Sequence, residues 1–542
     1  MMQFDYVVVG GGSAGCVLAN RLSENPNNTV CLLEAGPPDD SHFIHNCNPV
    51  NMLFLMNSPK YNWRYYAEGN AKTGNRRFYW PRGKTLGGSS AVNAMIYTRG
   101  HSSDYDHWAE LGNTCWDWKS VLPYFKKSEL QHRDLDAFHS REGTMDVIDP
   151  TFHFPPSHAF VKACVEAGIP YNHDINGEKY EGVDFFQINQ TPEGRRCHSS
   201  VSFLDPVRSR KNLTIINYAH TKRVLFKDTT AYALEYFDMK DGKQLKTIEA
   251  YKEIILSAGI IGSPQILKLS GVGPKAELEK HDIPIVLDLP GVGENLQDHP
   301  DIIIRYRDKS SSSLVTVPKP YMVKFMSKFY RKNKEPFIFT PTDAGGYVKS
   351  DPSVEVPDLQ LQFASLRMLP HGAGLFTPSK PGFVLHVCHM RPNSRGRVLL
   401  NSANPFDNPR IEANYFDDEM ELNALVNGVK IARKIIAQKA FDAYRGEEEV
   451  PGKSVCTDEQ IRQFILDKAE SVYTAGSCKM GIDAMAVVDP ELKIHGLKNI
   501  RVIDSSIMPT ITGSNIHAPT VMIAEKGADM ITKLGLLNKI DI

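Results

Sequence analysis

Three glycines near the N-terminus have the types and spacing that bind a dinucleotide. Gly10, Gly12 and Gly15 form a G-x-G-x-x-G pattern between an apolar run and a segment with helical periodicity. The first glycine of this pattern permits a tight turn, and the second lets the backbone approach a pyrophosphate. The third lets the helix pack closely on the strand, and the helix N-terminus faces the anion.

Glu34 completes the pattern at the end of a second apolar run, residues 30–33. An acid at this distance from the glycines accepts hydrogen bonds from a ribose diol. An ordinary turn with accidental glycines is the alternative, but strand, helix, second strand and acid stand in register. We therefore predict one βαβ dinucleotide site. Its place at the N-terminus suits a tightly held flavin adenine dinucleotide (FAD) at least as well as a diffusible nicotinamide.

A second loop of small residues lies between residues 81 and 100. Gly87, Gly88, Ser89 and Ser90 follow each other there, and we expect a helix to begin near Asn93. Backbone N–H groups in such a loop can hold a phosphate or approach a planar ring. A plain glycine turn is the alternative.

The composition is that of a globular protein with more than one domain. The chain has 542 residues, of which 42% are hydrophobic and 23% charged, and its formal net charge is -1. This balance gives no overall field that would favour nucleic acid. The nine cysteines are scattered and include no C-x-x-C pair, and their odd number and spread indicate reduced thiols. We find no metal-binding motif.

The first strand begins at about residue 4, which leaves no room for a secretory signal. No apolar run approaches the ~18 residues of a membrane helix. We therefore expect a cytoplasmic protein. The basic, aromatic segment Lys319–Lys334 leaves an alternative open, because it could rest on an anionic inner-membrane surface near a quinone pool. A lid with a solvated basic face is the interpretation that we favour.

Four stretches together resemble the glucose–methanol–choline (GMC) flavin oxidoreductases, in their choline dehydrogenase-like alcohol dehydrogenase branch. They are PRGKTLGGSSAVNAMIYTRG (81–100), AGIIGSPQILKLSGVG (258–273), GVGENLQDH (291–299) and a C-terminal run, residues 476–528, that includes GSCKMG and HAPTVMIAEKGA. The matches span nearly the whole chain in the family's order, so the resemblance is specific.

The resemblance implies an α/β fold, in which a Rossmann-like FAD-binding domain carries an α+β substrate domain with a mainly antiparallel sheet. Residues 1–155, 206–305 and 466–542 would form the first domain, and residues 156–205 and 306–465 the second. Local patterns agree with this division. Leu359, Leu361 and Phe363 alternate with glutamines as in a half-buried strand, and residues 419–436 have helical periodicity.

The family places two side chains over the flavin, a histidine before the G-[ST]-C-[KR]-M-G stretch and a histidine or asparagine before A-P-T. The second position is His517, whereas the first is occupied by Tyr473. A phenol with a pKa of about 10 is a poor base at pH 7 but a good hydrogen-bond donor. In one interpretation His517 alone is the base for oxidation of a primary alcohol, and Tyr473 holds the substrate oxygen.

In the other interpretation the site has lost alcohol oxidation. The wider superfamily includes hydroxynitrile lyases and light-driven fatty-acid decarboxylases, so a non-canonical GMC flavoenzyme or a flavin protein without turnover remains an alternative. The sequence leaves the small-molecule substrate unidentified. It also leaves open whether the electron acceptor is a quinone or oxygen.

The resemblance also implies the residues that contact FAD. They are Gly12, Ser13 and Ala14 at the pyrophosphate, Glu34 and Ala35 at the ribose, Gly87, Ser90, Asn93 and Ala94 along the pyrophosphate and isoalloxazine, Thr221 at the adenine, Asp504 and Ser505 at the ribityl–phosphate portion, and Pro519 and Thr520 at the pyrimidine edge. Val92 stands where some relatives carry a histidine that tethers FAD, so we expect non-covalent binding.

Overall fold

The computed structural model describes residues 2–47, 49–313, 338–368 and 380–537. The segment Lys319–Lys334 lies outside the described residues. The strands are β1 Met2–Val9, β2 Val30–Leu33, β3 Tyr65–Glu68, β4 Phe78–Trp80, β5 Glu129–Gln131, β6 Met145–Val147, β7 Gly182–Phe185, β8 Leu213–Ile216, β9 Ala219–Lys227, β10 Thr230–Asp238, β11 Gln244–Leu256, β12 Val272–Gly273, β13 Leu287–Asp288, β14 Gln297–Asp308, β15 Thr342–Val348, β16 Leu359–Ala364, β17 Gly382–His389, β18 Arg397–Leu399, β19 Arg410–Glu412, β20 Arg445–Val450, β21 Glu470–Ala475 and β22 Ile500–Val502.

Eleven α-helices occur within the same described ranges. They are α1 Ser13–Leu22, α2 His42–His45, α3 Pro49–Asn57, α4 Ser102–Glu110, α5 Trp118–Ser128, α6 Pro155–Glu166, α7 Gly259–Leu269, α8 Lys275–Lys280, α9 Glu419–Ile436, α10 Asp458–Lys468 and α11 His517–Leu537. None of these helices is both long and apolar enough to cross a bilayer.

The first large sheet is the predicted nucleotide fold. Its strand order is β8-β2-β1-β11-β10-β9, and β22 also pairs with β11. β1 runs parallel to both β2 and β11, and β22 runs parallel to β11, whereas β10 is antiparallel to both β9 and β11. The C-terminal half of β1 and the whole of β2 are buried, because helices such as α1 and α11 pack together over the sheet. Burial on both faces explains their continuous apolar sequences.

The second large sheet is antiparallel, with the order β20-β14-β17-β16-β15-β7 and with β21 paired to β14. β16 contains the predicted alternation, and α9 has the bounds that the periodicity predicted. The expectation that this strand is half-buried is wrong, because all six of its residues are buried. Its apolar face meets α9, and its glutamines face a polar network described below.

The helix expected to begin near Asn93 is also absent. Residues 88–91 form a single 3₁₀ turn, and Met95 has a φ of 67°. The Asn93 side chain accepts a hydrogen bond from the Met95 N–H, at 3.0 Å, and closes a local turn there. A left-handed residue so early in the segment prevents a helix from continuing. The predicted domain boundaries stay a prediction, although β21, from the third FAD-binding segment, belongs to the second sheet.

Candidate active site

One cavity reaches from the nucleotide fold to the antiparallel sheet. On one side it is lined by residues at the carboxyl ends of parallel strands, including Gly10, Glu34 and Asp504. On the other side it is lined by side chains of the antiparallel sheet, such as Gln362 and Tyr473. Ligands of open α/β sheets bind at the carboxyl ends of their strands, so the cavity lies where a nucleotide is expected.

The three glycines of the first loop have the separate roles that the pattern predicts. Gly10 has a φ of 102°, which favours glycine at the turn. A Cβ on Gly15 would stand 1.9 Å from the Gly10 carbonyl oxygen, so only glycine allows this contact of helix and strand. A Cβ on Gly12 would meet no protein atom closer than the Gly88 Cα, at 3.8 Å. The Gly12 backbone therefore faces open cavity that a ligand can approach.

Glu34 presents a buried carboxyl group to the same cavity. Its Oε2 accepts a hydrogen bond from the Gly11 N–H at 2.9 Å, and its Oε1 accepts one from the Gly36 N–H at 2.7 Å. Burial raises the pKa of Glu34 to about 7, although these backbone donors favour the ionised form. The carboxyl is thus held in place, with oxygen lone pairs left to accept hydroxyl groups.

The second glycine loop packs against the first, backbone to backbone. The Gly87 N–H donates to the Gly11 carbonyl at 2.8 Å, and a Cβ on Gly88 would stand 2.7 Å from the Gly12 Cα. A Cβ on Gly87 would stand 2.4 Å from Nδ1 of His198. The two loops therefore form one continuous wall, and glycine is required because of this close approach.

Most of the predicted site residues line the cavity, and three do not. Those that line it are Gly10, Gly12, Ser13, Ala14, Glu34, Ala35, Ser90, Asn93, Ala94, Thr221, Tyr473, Asp504, Ser505, His517 and Thr520. Gly15 and Gly87 lie behind the wall in the packing contacts just described, and Pro519 is in the first turn of α11. The residues present fit FAD: an open glycine backbone at a helix N-terminus, a carboxyl for a ribose and a cavity that continues to Tyr473 and His517.

His517 is a buried imidazole with a defined tautomer. Its Nδ1 lies 3.4 Å from the side-chain oxygen of Asn189, and its Nε2 lies 3.0 Å from the Ser199 hydroxyl. The Asn189 amide nitrogen donates elsewhere, to the Asp146 carbonyl, so its oxygen faces the imidazole. Because that oxygen can only accept, Nδ1 carries the hydrogen and Nε2 carries the lone pair. Burial and the nearby Arg196 lower the pKa of His517 to about 4, which keeps the ring neutral at pH 7.

Tyr473 is held by two amide donors. The Gln362 side chain donates to the phenol oxygen at 3.2 Å, and the Asn515 amide nitrogen also donates to it. The Asn515 oxygen accepts from the Thr98 hydroxyl and from Gln360, which fixes the orientation of the amide. Both lone pairs of the phenol oxygen are thereby used, so its hydrogen is available to a ligand. Burial raises the pKa of Tyr473 well above its ordinary value, so the group is a donor at pH 7.

Sequence reasoning missed a carboxylate–imidazole pair in the same cavity. Nδ1 of His386 lies 2.6 Å from a carboxylate oxygen of Asp301, and both residues line the cavity. His386 also stands directly opposite Gln362 across β16 and β17. Burial lowers the pKa of His386, but Asp301 outweighs it, and the net shift is upward. His386 interrupts the apolar run of β17, which was a signal for one member of the pair, whereas Asp301 stands among other polar residues of β14 and gave no such signal.

Two sequence profiles of the GMC oxidoreductase family match this chain, over residues 4–301 and 392–524. The alcohol dehydrogenase [acceptor] of Pseudomonas putida is 42% identical over 538 residues, which cover 98% of this chain and 96% of that protein. An oxygen-dependent choline dehydrogenase of Yersinia pseudotuberculosis is 40% identical over 541 residues, covering 98% and 94%.

A solved structure extends the comparison to the fold. A variant of the formate oxidase from Aspergillus oryzae, in which the effect of a mutation on FAD modification was studied, superposes with a TM-score of 0.88 at 28% identity and covers 98% of each chain. The chain therefore belongs to the GMC oxidoreductase family. The predicted fold class and the predicted enzyme class, an FAD-dependent oxidoreductase acting on CH–OH groups, are confirmed.

Proposed function

We propose that this chain oxidises a primary alcohol to an aldehyde, with Tyr473 and His517 at the reacting group. The observation that carries the proposal is the meeting of a neutral imidazole and an available phenol hydrogen in one cavity with the dinucleotide loops. Bound FAD would supply the acceptor of the hydride at flavin N5. The names of the Pseudomonas putida and Yersinia pseudotuberculosis relatives support an alcohol as the substrate.

Tyr473 would orient the alcohol. Its hydroxyl hydrogen can reach a substrate oxygen, because Gln362 and Asn515 already occupy the lone pairs of the phenol oxygen. A donor at this position stabilises negative charge that develops on the oxygen as the proton leaves. The two amide donors also restrict the ring, which favours a single orientation of the bound alcohol.

His517 would accept the hydroxyl proton at Nε2. This nitrogen carries the lone pair, and in the structure the Ser199 hydroxyl occupies it at 3.0 Å. Neither Ser199 nor Asn189 lines the cavity. Because the Ser199 hydroxyl occupies Nε2 in this structure, the alcohol must replace it as the donor to Nε2. Asn189 would continue to accept the hydrogen bond from Nδ1. A positioned base of this kind contributes about 10²–10⁴-fold to the rate.

A second function is a GMC flavoenzyme of the lyase or light-driven fatty-acid decarboxylase type. The observation that favours it is the phenol at the position of the family's usual histidine, in a network that holds it as a donor. Such a site would hold a substrate oxygen by a donated hydrogen bond, with no net transfer of hydride to the flavin.

We also propose non-covalent binding of FAD, because Val92 lines the cavity where some relatives carry the tethering histidine. Flavin that stays with the polypeptide after acid denaturation would contradict this. The electron acceptor in this proposal is a quinone or oxygen. The proposed location is the cytoplasm, with or without contact to the inner membrane.

Anaerobic mixing of the FAD-loaded protein with aliphatic, aromatic and amino alcohols tests the proposed function. Bleaching of the flavin band near about 450 nm is expected with at least one of these classes. No bleaching with any of them would count against alcohol oxidation and would favour the second function. His517→Ala should slow the reduction by about 10²-fold or more; an unchanged rate would remove His517 from the role of base.

A further inference from the structure

Among the residues that the structure describes, the arginine side chains of Arg99, Arg196 and Arg501 are almost wholly buried. Arg99 has an ion pair with Glu129 at 2.8 Å, and Arg501 has one with Glu253 at 3.0 Å. In the described parts of the chain, no carboxylate lies within ion-pair distance of Arg196. A guanidinium stays charged in proteins, and an unpaired buried charge is costly.

The polar contacts of Arg196 are with the second glycine loop. Its Nη1 donates to the Asn93 carbonyl at 2.7 Å, to the Asn93 side-chain oxygen at 3.0 Å and to the Ser90 carbonyl at 3.4 Å. Its Nε has no partner among the residues that the structure describes. Ser90 and Asn93 both line the cavity. Arg196 thus supports the loop from behind, and neutral carbonyl groups compensate its charge only in part.

The charge of Arg196 affects the pKa of a residue that lines the cavity. His517 lies close enough that the guanidinium, together with burial, lowers the pKa of the imidazole. The buried thiol of Cys47 also lies close to Arg196. The guanidinium opposes the effect of burial there, and the pKa of Cys47 is about 11, so the thiol is neutral at pH 7. The positive charge of Arg196 therefore stands behind the loop, near both Cys47 and His517, and neither of these groups neutralises it.

We propose that Arg196 is a positioning residue whose uncompensated charge favours reduction of FAD bound against the loop. In the proposed function, on which this inference rests, a hydride with its two electrons leaves the alcohol carbon and the hydroxyl proton goes to His517. The alcohol becomes an aldehyde, and the bound cofactor gains one negative charge. The Arg196 guanidinium offsets this negative charge and also holds the loop that it supports.

Two substitutions at Arg196 separate the charge from the packing. Arg196→Gln removes the charge, and Arg196→Lys keeps it. With an effective dielectric constant of about 20, loss of one charge near the cofactor shifts the reduction equilibrium by about tenfold. For a two-electron couple this corresponds to a potential lower by about 30 mV. Arg501→Gln is the control for loss of a buried arginine, because the Arg501 side chain is paired with Glu253 and its hydrogen bonds go to Glu253 and Glu491 rather than to the second glycine loop.

The midpoint potential of the FAD-loaded proteins is one measurement. Sulfite affinity is a second, because the sulfite adduct of oxidised flavin is also anionic and forms without any alcohol substrate. We expect Arg196→Gln to lower the potential and to weaken sulfite binding by about tenfold. We expect Arg196→Lys and Arg501→Gln to keep both values near those of the unsubstituted protein.

A third pair of variants tests the charge with Arg196 in place. Cys47→Asp supplies a carboxylate next to the guanidinium, and Cys47→Ser is its neutral control. Cys47→Asp should lower the potential in the same direction as Arg196→Gln, and Cys47→Ser should not. This pair of variants still tests the effect of the Arg196 charge if Arg196→Gln does not fold or does not retain FAD.

Unchanged potential and sulfite affinity in Arg196→Gln, or in Cys47→Asp when that is the variant available, would overturn the inference. So would equal losses in Arg196→Gln and Arg196→Lys, because a packing role alone would then be sufficient. If the proposed function itself were wrong, the unsubstituted protein would already show it, before any variant is compared. The unsubstituted protein would then bind no FAD, or its FAD would not be bleached by any alcohol.

Discussion

The rate of anaerobic flavin reduction should be almost independent of pH from pH 5 to pH 8. The reason is that His517 must be neutral to accept a proton, and its pKa is lowered to about 4 by burial and by Arg196. At pH 5 about 90% of such a group is neutral, whereas an ordinary histidine with a pKa of about 6.5 would be only about 3% neutral. The expected loss of rate between pH 7.5 and pH 5 is therefore about 1.1-fold, against about 30-fold for an unshifted imidazole.

Stopped-flow absorbance at saturating alcohol measures this rate directly. The competing candidate for the base is His386, whose pKa is raised by Asp301 and whose ring also lines the cavity. If His386 were the base, the rate would fall by about tenfold per pH unit below its pKa. A rate that rises with pH above about 6.5 would thus refute the assignment of His517.

His386→Gln is the control for that result. It removes the titrating ring opposite Gln362 and keeps a side chain that can hydrogen bond. A flat profile in both proteins, whatever the absolute rate of the variant, leaves His517 as the base. A profile that is sloped in the parent protein and flat in His386→Gln would assign the role to His386.

Three further predictions concern other groups. Tyr473→Phe removes the donor to the substrate oxygen and leaves two amide donors without an acceptor, so the reduction rate should fall by about 10–100-fold; an unchanged rate measured by the same stopped-flow assay would remove Tyr473 from the site. Glu34→Gln should weaken FAD binding by about tenfold or more, since a ribose hydroxyl loses a charged acceptor. Titration of the FAD-free protein with FAD measures this affinity, and an unchanged affinity would show that Glu34 does not bind the ribose. His517 and His389 should each destabilise the folded protein as the pH falls from about 6.5 to about 4, because both are neutral and buried in the folded state, each with a pKa of about 4, while the unfolded chain binds these protons near pH 6.5. Each group contributes a few kcal/mol at most, and Glu34, whose buried carboxyl has a pKa of about 7, contributes in the opposite direction. His389→Gln should therefore reduce the loss of melting temperature on acidification, and a larger loss in that variant would contradict the sign.

The nucleotide-binding part of the fold was predictable because its requirements are local. The glycines at positions 10, 12 and 15 meet their steric demands within a single strand, turn and helix. Glu34 follows at the end of the next strand in the same sheet. The same locality allowed α9 and β16 to be predicted from periodicity alone. Local reasoning did not predict the left-handed Met95, which removes the helix expected near Asn93.

The residues that decide the chemistry come together from distant parts of the chain. His517 meets Ser199 across 318 residues and Asn189 across 328, and His386 meets Asp301 across 85. Motif spacing indicated that His517 and Tyr473 belong to the site, but not which hydrogen bonds each makes. The pKa of His517, the orientation of Tyr473 and the unpaired charge of Arg196 depend on burial and on neighbours supplied by other segments. Such properties arise only when the chain is folded, because desolvation and electrostatic contacts act through space.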